Sequence, residues 1–146
     1  MAEFGQWKFT VNRNETDLAY SKIGLGGADS CACATCRNFA KARMCVFPVE
    51  FLAFLEQLGI NLRKEVEVYS FSSSVPGFRD TSGWFHFVGS LEATGDFPPV
   101  DYGGGFTAWM CRTGAPRHSI FTNLPAVQLE FRAKLVPWIL DEPEPN

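Results

Sequence analysis

Trp7, Phe9 and Val11 alternate with Lys8, Thr10 and Asn12, a period of two that predicts a half-buried strand near the start of the chain. Asn12, Arg13, Asn14 and Glu15 supply turn chemistry, and Leu18, Tyr20 and Ile23 then run back, so residues 7–23 are expected to form a strand pair. Gly24, Gly26 and Gly27 break the alternation and read as a turn. The period then lengthens. Thr35 is placed to cap a short helix over about residues 36–43. Phe51, Phe54, Leu55 and Leu58 recur at helical spacing, with Leu52 widening their face. Pro48 suits the first turn of that helix and Gly59 its stop, which sets it at about residues 48–58.

Beyond Gly59 the pattern is almost wholly β. Val66 and Val68 alternate with Glu65 and Glu67 and lead to Tyr69 and Phe71; residues 72–77 read as a loop. Residues 84–91 form a strongly aromatic strand, and 106–112 and 118–122 read as two more. Val127, Leu129, Phe131, Ala133 and Leu135 alternate with Gln128, Glu130, Arg132 and Lys134, the cleanest half-buried strand of the chain. Strands joined by short turns predict an α+β fold. Residues 1–140 are expected to form a single domain, mostly antiparallel β-sheet with a short helical insert (about residues 36–58) packed on one face. Residues 141–146 are acidic and proline-rich and are expected to be a disordered tail.

With 146 residues, the chain falls in the size range that buries roughly 68–70% of its unfolded surface, so its core needs no covalent staple. Fourteen Phe, four Trp and three Tyr give it a heavy aromatic load. Adjacent aromatics on one sheet cannot all face one core. Either some of Phe85, Phe87 and Trp109 face outward or line a groove, an aromatic surface for a protein partner or homodimer, or the sheet has a two-sided core covered by the helices. The net charge of −3 and the absence of a basic stripe argue against nucleic acid. No apolar run approaches the roughly 18–20 residues of a membrane span. The N-terminal residues carry no basic region followed by an apolar core, so a cytoplasmic protein with reduced thiols is expected.

The chemistry of the chain is concentrated in Cys31, Cys33 and Cys36, followed by Cys45 nine residues on. Cys33-x-x-Cys36 has a spacing that lets two thiolates converge on one ion; Cys31 can join them if the loop curls, and Cys45 if a short helix returns it. On this reading Cys31, Cys33, Cys36 and Cys45 hold a structural zinc ion, with Cys111, His86 and His118 as more distant candidates. A second reading makes Cys33 and Cys36 a thiol–disulfide oxidoreductase pair at a helix N-terminus, helped by Arg37 and Lys41. A third takes the cysteines as small buried side chains interleaved with Ala32 and Ala34. An iron–sulfur cluster has enough cysteines but no matching spacing. No HExxH, GxSxG or GK[ST] motif is present, so no recognisable catalytic motif accompanies the cysteines.

The run Cys31-Ala32-Cys33-Ala34-Thr35-Cys36-Arg37-Asn38-Phe39, then Phe47-Pro48 and a helix ending Leu58-Gly59-Ile60, resembles a group of small uncharacterised bacterial proteins that carry CxCxxCRNF before such a helix. Gly83-Trp84-Phe85-His86-Phe87-Val88-Gly89 is similar to a later block of that group, and the resemblance covers about residues 30–90. It implies a compact bacterial domain and transfers no activity. It also implies that Arg37 and Asn38 belong with the cysteines, Asn38 bonding the loop backbone and Arg37 pairing with Asp29.

Overall fold

The computed structural model describes residues 1–92, 95–112 and 116–145. Its centre is a long strand, β4 (Phe78–Leu91), which pairs along one side with β7 (Ala126–Pro137). β7 in turn pairs with β6 (Phe106–Arg112), and β6 with β5 (Val100–Gly103). On the other side of β4, two strands lie end to end: β3 (Glu67–Ser72) pairs with residues 79–84 and β2 (Trp7–Val11) with 89–91. β1 (Ala2–Phe4) closes that edge as a hairpin with β2. Every pairing is antiparallel, giving a seven-stranded sheet in an α+β domain.

Four helices complete the described residues: α1 (Arg13–Ser21), α2 (Gly27–Ser30), α3 (Ala34–Val46) and α4 (Val49–Leu58). α4 follows its apolar spacing, burying Phe51, Leu55 and Leu58, and ends where Gly59 turns left-handed at φ 83°. A side chain at Gly59 would also come within 2.5 Å of the Arg13 carbonyl oxygen.

α1 replaces the expected return strand. Asn12 caps it: the Asn12 side-chain oxygen accepts from the Glu15 N–H at 3.0 Å, and Asn12 Nδ2 donates to Glu15 Oε2 at 3.1 Å. Thr16, Ala19 and Tyr20 then bury one helical face, whereas the apparent alternation of Leu18 and Tyr20 leaves Leu18 exposed. Residues 118–122 are likewise not a strand; Ser119–Phe121 forms a single 3₁₀ turn.

Both faces of the sheet bury side chains. One face carries Phe85, Phe87, Phe106, Leu129 and Phe131 against Phe39, Phe47 and Phe51 of the helical segment; the Phe47 and Phe131 rings lie 5.0 Å apart and those of Phe51 and Phe106 4.9 Å. On the opposite face, Trp84, His86 and Gln128 are buried, with Trp84 Nε1 bonded to the Pro116 carbonyl at 2.9 Å and the Phe121 ring 5.9 Å from His86. Phe85 and Phe87 are therefore core residues, and Trp109 is half-buried. The alternation of β7 slips near its end. Arg79 pairs with Val136 but Thr81 with Ala133, so β7 carries one extra residue there, turning Leu135 outward and Val136 inward.

Candidate metal centre

The cysteine loop is held from below by contacts distant in sequence. Gly26 and Gly27 lie directly on the chain leading into β3: an added Cβ would sit 2.4 Å from the Arg63 carbonyl oxygen at Gly26 and 2.5 Å from the Val66 oxygen at Gly27. These glycines serve close approach and need no left-handed backbone. Glu65 grips the same turn twice. Its backbone oxygen accepts from the Gly27 N–H at 2.8 Å, and its Oε1 from the Ala28 N–H at 2.9 Å. The same Oε1 accepts from Arg43 Nη2 at 3.2 Å, while Arg43 Nη1 lies 3.7 Å from Asp29. Glu65 and Arg43 are both buried, and the guanidinium sits 5.4 Å from the Phe39 ring centre. Burial pushes the Glu65 carboxyl up, against the pull of Arg43 and the Ala28 N–H.

The loop is held from its other side by the C-terminal segment. Arg37 Nε donates to the Ala32 carbonyl at 3.1 Å, and its two terminal nitrogens grip Glu142 at 2.7 and 3.0 Å. Asn38, buried, donates to the Pro137 carbonyl at 3.0 Å and accepts from the Ile139 N–H at 2.8 Å. Trp138 Nε1 donates to the Glu142 carbonyl at 2.8 Å, and Arg79 donates to the Pro145 carbonyl at 3.1 Å. Residues 141–145, whose composition offers nothing to pack, thus make specific contacts. Arg37 pairs with Glu142 instead of Asp29, which lies beside Arg43; Asn38 bonds the end of β7 and Ile139 beyond it instead of the cysteine loop.

Within this frame Cys33 stands at the N-cap of α3, exposed, with Cys31 and Cys36 partly buried beside it. The three sulfurs lie within 4.8 Å of one another. The Cys31 thiol donates to Cys33 Sγ at 3.2 Å, and Thr35 Oγ1 is 3.3 Å from Cys33 Sγ. Hydrogen bonds from Thr35, the Cys36 N–H and Cys31 hold the Cys33 thiol down to about 6. Burial, and the bonds with Cys31 and Cys33, push Cys36 the other way. All five cysteines are free thiols.

The structure brings together three of the four expected ligands. α3 begins at Ala34 and runs unbroken to Val46, so Cys45 sits nine residues beyond Cys36 on a rigid helix, about 13 Å along its axis at 1.5 Å per residue. Cys45 lies instead by Pro48, Tyr102 and Leu135. Cys111 is on β6, 3.6 Å from Glu130 Oε1, His86 is buried under Phe121, and His118 Nε2 is bonded to the Lys64 carbonyl at 3.0 Å. Sequence reasoning missed Glu65, Arg43 and Glu142. Glu65 read as the outer position of an alternating strand, and its one available signal was the Gly26-Gly27 pair, which marks a backbone approached closely from another segment.

Sheet and cluster together define the class: an α+β domain with a three-thiol cluster at the start of a helix, exposed at the surface. The chain matches no family model, no curated protein and no solved structure. No helix among the described residues is long and apolar enough to cross a membrane.

Proposed function

We propose that this chain is a binding module that carries a thiophilic divalent ion of the zinc class on Cys31, Cys33 and Cys36. The observation that supports it is the mutual approach of the three sulfurs within 4.8 Å. Two thiolates on one tetrahedral zinc, each at about 2.3 Å, stand roughly 3.8 Å apart, so the cluster needs only slight adjustment to close on an ion. The hard alkaline-earth ions prefer oxygen ligands, which this cluster lacks. Free thiols in this number suit a reducing compartment. The test is zinc titration of the reduced, full-length protein against a chromophoric chelator. One ion per chain, lost in Cys33→Ser and accompanied by protection of three thiols, supports the reading; no competition with the chelator overturns it.

A second reading is favoured by the placement of Cys33, exposed at the first turn of α3 with Cys36 partly buried behind it. That arrangement suits dithiol–disulfide exchange with an external disulfide: Cys33 attacks one sulfur, the other leaves as a thiol, and Cys36 then displaces the second to close a Cys33–Cys36 bond. It requires rapid, chelator-insensitive reaction of Cys33 with a model disulfide, and loss of that reaction in Cys33→Ser.

A further inference from the structure

We infer that the site is an open one, in which Cys31, Cys33 and Cys36 supply three ligands and a thiolate from outside the fold supplies the fourth. This rests on the metal reading above. Zinc in closed structural sites takes four protein ligands, and sites that keep three leave one position for exchange. Among the described residues Cys31, Cys33 and Cys36 form a group of their own. The remaining candidate donors are engaged or distant. Glu142 is held by both terminal nitrogens of Arg37, Asp29 lies beside Arg43, His118 bonds the Lys64 carbonyl, and Cys45 is at the far end of α3.

Access and energetics agree with an exchangeable position. Cys33 is exposed and its two neighbours only partly buried, so a ligand can approach from solvent. Structural zinc sites commonly supply the folding energy of small modules. Here Glu65, Arg43, Arg37 and Asn38 already fix the loop and the helix that follows, and the core is large. The ion is left free to serve binding.

The chemistry of the donor set selects the incoming ligand. Three thiolates on a divalent ion leave a net charge of about −1 and a soft centre, which favours a further sulfur donor over carboxylate. On binding, the incoming thiol gives its proton to solvent and its sulfur pair to the ion; nothing is oxidised. The thiol belongs either to a low-mass compound or to a cysteine of a second copy.

Cobalt(II) in place of zinc makes the ligand count visible. Full-length reduced protein, freed of small thiols and loaded with one cobalt per chain, is titrated with 2-mercaptoethanol while the visible and charge-transfer bands are followed. The expected result is saturable conversion from a three-thiolate to a four-thiolate spectrum, the charge-transfer intensity rising by about one third as three sulfurs become four. In dilute monomer, Cys45→Ser and Cys111→Ser should leave both the thiol-free and the thiol-saturated spectra unchanged. Conversion of a chain that stays monomeric in light scattering assigns the fourth sulfur to a low-mass thiol. A four-thiolate spectrum that grows with protein concentration, together with a dimer, assigns it to a second copy. A four-thiolate spectrum before thiol is added in dilute monomer, lost in Cys45→Ser, overturns the inference and leaves the metal reading standing. So does a spectrum indifferent to added thiol. Failure of both cobalt and zinc to bind overturns both.

Discussion

The Tyr20 hydroxyl donates to the His86 carbonyl at 2.7 Å and accepts from the His86 N–H at 3.2 Å. It does for β4 what a neighbouring strand would do. β3 and β2 occupy the same side of β4 but leave a gap between them, and α1 fills it. Thr16 Oγ1 accepts from the Val88 N–H at 2.9 Å, and the Asn12 N–H donates to the Val88 carbonyl at 2.8 Å. Side chains of a helix thereby complete the hydrogen bonding of a central strand. Tyr20→Phe keeps the ring and orphans two buried backbone groups. At about 1–3 kcal/mol per unsatisfied group, a loss of roughly 2–6 kcal/mol is expected in denaturant unfolding. A loss below about 0.5 kcal/mol would mean that the hydroxyl has no such role.

His86 gives the fold a pH dependence. Burial, opposed by Gln128 and helped by smaller contributions from Arg117 and His118, lowers its pKa to about 4. The unfolded chain, with an ordinary histidine near 6.5, binds the proton more readily. Stability is therefore full above about pH 6.5 and declines as pH falls toward 4, by about 3 kcal/mol if the whole shift is realised. His86→Phe should flatten that part of the stability profile. An unchanged slope between pH 6.5 and 4 would contradict this origin.

Glu65 and Arg43 form a buried ion pair beneath the cysteine loop. Glu65→Ala strands a buried guanidinium and releases the Ala28 N–H, so about 3–5 kcal/mol of stability should be lost. Replacing both residues, as Arg43→Met with Glu65→Leu, should recover much of it, because the desolvation cost disappears with both charges. A double variant no more stable than the single one would show that Glu65 acts chiefly through the Ala28 contact.

Arg37 and Asn38 are neighbours in sequence and hold the same C-terminal segment, yet their truncations should differ. The Arg37–Glu142 pair is exposed, and Arg37→Ala should cost little stability, less still in high salt. Asn38 is buried and satisfies two backbone groups of residues 137–139, so Asn38→Ala should cost about 2 kcal/mol or more. Equal costs in thermal unfolding would contradict the burial argument.

Much of the architecture was legible where one period ruled a segment. α4 and the strands around 84–91, 106–112 and 127–135 follow their apolar spacing. α1 was misread because Leu18 and Tyr20 mimic a period of two. The better signal was the capping pair Asn12–Glu15, followed by Thr16, Ala19 and Tyr20 at helical spacing. Residues 118–122 lie between prolines and fold as a turn. The cysteine site was legible as far as Cys31, Cys33 and Cys36, which local chain geometry brings together. Cys45 depended on where α3 ends: the helix expected over 36–43 stops before Cys45, whereas α3 runs through it to Val46. The frame around the site was illegible because Glu65, Glu142 and the 137–139 backbone reach it from 22 to 105 residues away in sequence.

The most direct test is metal content per chain, measured with a free-thiol count on untagged protein purified under reducing conditions, for the native sequence, Cys33→Ser and Cys45→Ser. The expected result is near-stoichiometric zinc and three masked thiols in the native protein and in Cys45→Ser, with zinc lost in Cys33→Ser. No metal uptake on zinc addition, with all thiols of the folded cluster titrating freely, would contradict a metal centre at Cys31, Cys33 and Cys36.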